Sequence, residues 1–184
     1  MTRLVLVGPP GAGKGTQAAA LSEKLEIPHI STGELFRSHI GDGTELGRQV
    51  KQYLDDGELV PDAITNQLVE ERLAEPDTNG GFLLDGFPRN VGQADVLSKV
   101  LAESDKKLDA VVQLQVDEEV VVGRLLARGR ADDTEDVIRN RQRVYRAETA
   151  PLLDYYRDIL VTVDGVGEVE VITDRVLSAL RDRT

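Results

Sequence analysis

Gly8-Pro9-Pro10-Gly11-Ala12-Gly13-Lys14-Gly15-Thr16 follows directly on the apolar run Leu4-Val5-Leu6-Val7, and this stretch decides the fold. A strand that feeds a glycine loop opening a helix aims several backbone N–H groups at one point. The glycines permit positive φ angles and close backbone approach, and the helix expected from 14 to 25 adds the positive end of its dipole. Lys14 then supplies a full charge to the outer phosphates of a nucleotide. The pattern is the phosphate loop G-x-x-x-x-G-K-S/T with one departure: Gly15 stands where the hydroxyl residue is expected, and Thr16 follows one place later. Nucleotide binding survives this departure, which weakens the case for the hydroxyl as a magnesium ligand. A glycine turn without a ligand is the alternative; four glycines, a lysine and a threonine in this context favour the phosphate.

Outward from the loop, apolar runs alternate with helical patterns. Strands are expected at 3–7, 28–30, 82–85, 110–116 and 159–163, with helices at 14–25, 33–40, 46–54, 61–74, 91–101, 118–128 and 133–157. This alternation signals an α/β fold, a parallel sheet with helices on both faces. Residues 31–60 form a helical insertion, broken at Gly41-Asp42-Gly43 and at Gly57-Glu58-Leu59-Val60-Pro61. Asp132 or Asp133 is the expected N-cap of the long helix. At the C-terminus, 168–172 alternates like a strand while 174–181 is helical, so that boundary stays open between the two.

The 184 residues suffice for one α/β core, with about two-thirds of the extended surface buried on folding. There is no Cys, which excludes disulfides and thiolate metal sites, and no apolar stretch approaches the ~20 residues of a membrane span. The chain enters a strand at once, without the pattern of a signal peptide, so a soluble cytoplasmic protein is expected. A formal charge of −11 argues against sequence-independent binding to nucleic acid or to an anionic membrane. An anionic ligand therefore needs a local basic cluster. One lies between Arg124 and Arg146, where seven arginines stand against four acids.

Two further segments carry candidate chemistry. Phe82-Leu83-Leu84-Asp85-Gly86-Phe87-Pro88-Arg89 reads as a buried strand ending in an acid, a glycine, a proline-fixed turn and an arginine. The carboxyl ends of parallel strands face the ligand crevice, which puts Asp85 beside the glycine loop to hold magnesium or its waters, and Arg89 within reach. The alternatives are an ordinary turn acid and a surface ion pair. In Ser31-Thr32-Gly33-Glu34-Leu35-Phe36-Arg37, Ser31 or Thr32 is a plausible helix cap, and Arg37, one turn in, faces the side of Gly33. That offers a second anion site. Arg124 and Arg128 share one helix face, either as a solvated charged face or as part of a movable turn over the phosphates. His29 and His39 read as structural, and 152–156 with Tyr145 reads as an apolar face packed on the sheet.

Together, GPPGAGKGTQ (8–17), ISTGELFR (30–37), LLDGFPRNVGQA (83–94), GRLLARGRADD (123–133), Arg141 and TAPLLDYY (149–156) resemble, in order across nearly the whole chain, the adenylate kinase family. The resemblance implies a P-loop three-layer α/β/α fold with a five-stranded parallel sheet. It implies a core of 1–30, 61–126 and 134–184, an AMP-binding insertion at 31–60 and a short lid at 127–133. It further implies that Gly11, Ala12, Gly13, Lys14, Gly15 and Thr16 bind ATP phosphates, with Arg124, Arg128 and the backbone near Gly167 as further ATP contacts. On the acceptor side it implies Thr32, Arg37, Glu58, Leu59, Val60, Gly86, Phe87, Pro88, Arg89 and Gln93, with Arg130 and Arg141 reaching the phosphates. Mg²⁺ would accompany ATP at Asp85 and Thr16, directly or through water. Few residues separate Arg128 from Asp133, so this is similar to the short-lid form, which has no room for a zinc-bearing insert. Monomers are implied.

The reaction so implied moves a phosphoryl group from ATP to AMP, giving two ADP. Its acceptor is a phosphate oxygen already ionised at neutral pH, so no general base is needed. Lys14, Arg89, Arg130, Arg141 and Asp85 with its magnesium are the expected catalytic set, acting by positioning and charge neutralisation. A kinase for UMP or CMP is the nearest rival; its relatives tend to carry Ala at the place of Thr32, and Thr32 with Gln93 favours adenine. A nucleotide switch is the other rival, but the guanine-reading N-K-x-D motif is absent.

Overall fold

The computed structural model describes residues 2–9, 11–56, 60–129 and 134–183. Five short strands, β1 (Thr2–Val7), β2 (His29–Ser31), β3 (Gly81–Asp85), β4 (Ala110–Gln115) and β5 (Leu160–Asp164), pair in the order β2-β3-β1-β4-β5. Every pairing is parallel. Each of the five apolar runs expected from the sequence is a strand, within one or two residues of its expected ends. Residues Gly81 to Asp85 are all buried, which explains why β3 reads as a continuous apolar run: helices cover both of its faces.

Among the described residues eight α-helices accompany the strands: α1 (Lys14–Leu25), α2 (Thr32–Asp42), α3 (Glu45–Asp55), α4 (Asp62–Leu73), α5 (Val91–Glu103), α6 (Glu118–Arg128) and α7 (Glu135–Tyr155) between them, and α8 (Val169–Arg181) after β5. Alternate residues of the strands face two cores. Leu4, Leu6, Leu83, Val112 and Leu114 pack against Ala18 and Leu21 of α1 and Ile172 and Val176 of α8. Val5, Val7, Phe82, Leu84 and Val111 pack against Val69 of α4, Ala94, Leu97 and Leu101 of α5, and Leu152 of α7. Each of the buried Val, Leu, Ile and Phe side chains stabilises the fold by about 1.5–3 kcal/mol relative to exposure. The chain thus forms the three-layer α/β/α arrangement. Tyr145, Leu153 and Tyr156 join the second core, as expected of an apolar face on the sheet.

Three local outcomes refine the sequence reading. The alternating segment after β5 is the first turn of α8, because Ile172, Thr173 and Val176 recur at helical spacing and are buried together. The long helix α7 is capped by Thr134, whose hydroxyl accepts from the Val137 N–H at 3.4 Å, and not by Asp132 or Asp133, which lie outside the described residues. Ser31, rather than Thr32, caps α2 by accepting from Glu34 N–H at 3.5 Å. That leaves the Thr32 side chain buried and available for another role.

Helices α2 and α3 pack on each other at a tight corner. The Thr44 hydroxyl accepts from Gly47 N–H at 2.9 Å, and His39 Nδ1 lies 2.8 Å from the same hydroxyl, a structural use of His39. A Cβ on Gly47 would lie 2.0 Å from the carbonyl oxygen of His39, so the corner requires glycine. Gly41, in the last turn of α2, has open space around it. Gly47→Ala is therefore expected to lower stability by about 1–3 kcal/mol, as overpacking does, while Gly41→Ala is neutral or stabilising by up to about 1 kcal/mol. Urea unfolding checks this, and equal effects of the two substitutions would contradict the corner's tightness.

Candidate active site

The loop after β1 turns on two left-handed glycines, Gly11 at φ 87° and Gly13 at φ 86°, and is closed by Ala12 N–H donating to Pro9 carbonyl at 3.0 Å. Gly13 is the N-cap of α1 and has no side chain to cap with, so the N–H groups of the first turn lack a side-chain cap and are suited to an anion. The loop rests on α6: a Cβ on Gly11 would lie 3.0 Å from both Val121 and Leu125. Arg124 of the same helix donates to the Gly11 carbonyl at 3.4 Å, which seats one expected ATP contact directly on the loop. Lys14 folds back over the loop, its Cγ 3.1 Å from where a Cβ on Gly8 would be. Gly15 and Thr16 are exposed in the first turn of α1.

Asp85, the last residue of β3, stands beside this loop. Its Oδ1 lies 3.3 Å from Lys14 Nζ, and its Oδ2 lies 3.4 Å from His29 Nε2. Burial pushes the Asp85 carboxyl up, but the His29 hydrogen bond and the Lys14 charge outweigh it and hold the group below its ordinary value. A cation and a carboxylate are thus fixed side by side, the first suited to phosphate and the second to a hard metal ion. His29, which the sequence reads as structural, is thereby tied to the carboxylate at the site. The parallel register of β2 on β3 brings the two together, setting Ser31 opposite Asp85 and His29 two residues before it.

A second cluster gathers on the other side of Asp85. Gly86, at φ 87°, lies so close to α2 that a Cβ on it would be 2.9 Å from Thr32 Oγ1. The peptide between Phe87 and Pro88 is cis, and both residues are buried. Arg89, exposed, turns back so that its Nε donates to the Gly86 carbonyl at 3.0 Å. Gln93 is buried in the first turn of α5, where its Oε1 accepts from Arg89 N–H at 2.7 Å. The Arg37 guanidinium lies over Gly33, 3.3 Å from where a Cβ would sit, on the side expected. Thr32, Gly86, Arg89 and Gln93 are brought into one group next to the phosphate loop.

Arg128 ends α6 and Arg141 stands on α7, both exposed. Gly167, at φ 137°, follows β5 in a loop braced by Arg175, which donates to the carbonyls of Asp164 at 3.0 Å and Val166 at 2.6 Å. Val60 is half-buried ahead of Pro61. Glu58, Leu59 and Arg130 lie outside the described residues, as does most of the expected lid. Among the described residues, no three His, Cys, Asp or Glu side chains converge to hold a metal, and no helix is long and apolar enough to cross a membrane. Sequence reasoning also passed over Asp62, which accepts from the side chains of both Gln93 and Asn90. No local motif marks it.

The sequence profile of the family described as Adenylate kinase matches residues 6–161, from β1 into β5. The adenylate kinase of Rhodococcus erythropolis is 64% identical over 178 residues, covering 97% of this chain and 98% of that protein. Those of Nocardia farcinica and Mycolicibacterium smegmatis are 62% and 61% identical over the same shares. A match of this identity, running through the loop, the sheet and the helices that surround both clusters, makes the chain a member of the adenylate kinase family.

Proposed function

We propose that the chain catalyses reversible phosphoryl transfer from ATP to AMP, giving two ADP. The observation that carries this is the pairing of two anion-binding elements across one strand end. The glycine loop with Lys14 lies on one side of Asp85, and Thr32, Gly86, Arg89 and Gln93 lie on the other. A single-nucleotide switch has no use for the second element. Membership of the adenylate kinase family supports the same reaction.

On this reading Gly11 to Thr16, Arg124, Arg128 and the backbone at Gly167 take ATP. Thr32, Arg37, Val60, Gly86 to Arg89 and Gln93 take AMP, with Glu58 and Leu59. Residues 31–60 act as the acceptor domain, 127–133 as the lid and the rest as core. An oxygen of the AMP phosphate attacks the γ-phosphorus. The bond to the bridging oxygen breaks, and ADP leaves with that oxygen. The attacking oxygen is ionised at neutral pH, so the protein supplies position and positive charge rather than a base. Lys14 and Arg89, with Arg130 and Arg141, neutralise charge as it shifts between phosphates.

Magnesium fits the donor set. A Mg²⁺ that arrives with ATP needs only one or two protein oxygens, and Asp85 offers a hard carboxylate beside the loop, with the exposed Thr16 hydroxyl in the first turn of α1. Held there, it would supply positive charge beside the phosphates as the transfer proceeds. Zinc is not expected, and we read the protein as a cytoplasmic monomer.

With ATP and a panel of AMP, GMP, CMP and UMP, ADP is expected to form fastest from AMP, and ATP hydrolysis without a monophosphate is expected to be slow. No ADP from AMP would sink the assignment. Lys14→Met is expected to lower kcat on the order of 10²–10³-fold, as loss of a comparable electrostatic donor does, with a native circular-dichroism spectrum. A loss under threefold would remove Lys14 from the mechanism. Because Asp85 is held below its unfolded value of about 4, its carboxylate stabilises the fold above that pH and ceases to as pH falls through the folded value. Asp85→Asn is thus expected to be less stable than the parent at pH 7 and to converge with it below about pH 4 in urea titrations. A gap that persists unchanged to pH 3, which is about a unit below, contradicts the coupling.

A further inference from the structure

The two ends of the Gln93 amide are held by different partners. Its Oε1 accepts from Arg89 backbone N–H at 2.7 Å, and its Nε2 donates to Asp62 Oδ1 at 3.0 Å. Asp62 is the first residue of α4, where the chain returns from the insertion. Its other oxygen, Oδ2, accepts from Asn90 Nδ2 at 3.2 Å. Asn90 is itself fixed, because its Oδ1 caps α5 by accepting from Gln93 N–H at 2.8 Å. Asn90 therefore has only its amino group to offer Asp62, and Asp62 has only acceptor oxygens to offer Gln93.

This chain of partners sets the polarity of the Gln93 amide. Turned over, its NH₂ would face the Arg89 N–H, donor against donor, and its oxygen would face the Asp62 carboxylate, acceptor against acceptor. A primary amide has two N–H donors and two acceptor lone pairs. One of each is spent, on Asp62 and on Arg89. One N–H and one lone pair remain, in an order the two restraints dictate. A purine in a given pose tests that order. Adenine presents an amino donor at C6 and a ring-nitrogen acceptor beside it, whereas guanine presents a carbonyl acceptor at C6 and an N–H donor beside it. A site built to pair with one pattern rejects the other, because buried polar groups are left unpaired.

We propose that Asp62 is a specificity-determining positioning residue: it locks the Gln93 amide in the orientation that matches adenine and mismatches guanine in the acceptor nucleotide. This rests on the reading that places Gln93 beside the acceptor base. Asp62 acts through Gln93 and touches no substrate. Its carboxylate is exposed, whereas the Gln93 side chain it holds is buried, so the lock is applied from outside the site.

The test compares Asp62→Ala, Asp62→Asn, Gln93→Ala and the Asp62→Ala/Gln93→Ala double variant of the full chain, measuring kcat and KM with AMP and with GMP at saturating ATP, and KM for ATP at saturating AMP. Asp62→Ala is expected to lower the AMP-to-GMP ratio of kcat/KM by about tenfold, mainly through KM for AMP, the size of one lost hydrogen bond to a charged group. KM for ATP should stay within about twofold, since a merely structural loss would move both substrates. Asp62→Asn keeps an oxygen that accepts from Gln93 and should fall between; it also serves if the alanine variant folds poorly. In the Gln93→Ala background, removing Asp62 should change the ratio no further. An unchanged ratio in both Asp62 variants, or an equal change with and without Gln93, overturns the proposal while leaving the kinase assignment intact. A parent chain that makes no ADP from AMP overturns both.

Discussion

The parallel register that sets Leu6 of β1 and Ser31 of β2 on either side of Asp85 in β3 is the constraint from which the site follows. Strands that end level with one another release their next residues at the same height. Gly8 opens the phosphate loop, Gly86 opens the turn toward Arg89, and Thr32 opens α2, all at one edge of the sheet. Had any strand slipped by one residue, its apolar set would have turned to the opposite core and its loop would have left this edge. Burial of β3 on both faces is what makes such a slip costly. The energy that positions the chemistry is therefore spent in the sheet, by Leu83 and Leu84, rather than among the site's own polar groups.

The electrostatics are local against an opposing background. A chain of net charge −11 has no general attraction for a nucleotide, so the positive potential must come from a few groups held close. Backbone N–H groups at the head of α1 cost no net charge, and Lys14 adds one. Asp85 at 3.3 Å keeps that ammonium from standing alone in a partly buried place, and His29 shares the carboxylate. On the proposed acceptor side, Arg89 is tethered by its Nε to the Gly86 carbonyl, which would leave its terminal nitrogens to meet an anion. Tethering of this kind reduces the side-chain entropy lost on binding.

What could be read from residues alone was whatever is local in the chain. The glycine loop, the five apolar strands, the run from Asp85 to Arg89 and the helical spacing of Arg37 on Gly33 each lie within a few consecutive residues, and each stands where it was expected. Contacts between distant segments were not legible. His29 meets Asp85 only because β2 lies beside β3, and Asp62 meets Gln93 only because α4 starts against α5. Competition between adjacent candidates was also invisible: either Ser31 or Thr32 can cap a helix, and the pressing of Gly86 against Thr32 goes with Ser31 as the cap. The alternation at the head of α8 looked strand-like because valine and glutamate also fit the first turn of an amphipathic helix, and only burial of Ile172, Thr173 and Val176 on one side decides between them.

The central claim is that two nucleotides sit side by side over one sheet edge, with the glycine loop serving the donor and the Thr32–Gln93 group serving the acceptor. A single molecule carrying two adenosines joined through a polyphosphate chain tests this directly, by calorimetry and by inhibition. The account predicts one molecule bound per chain, competing with ATP and with AMP alike, and a large loss of affinity in Gln93→Ala as well as in Lys14→Met. Competition with ATP alone, or binding indifferent to Gln93, would contradict it.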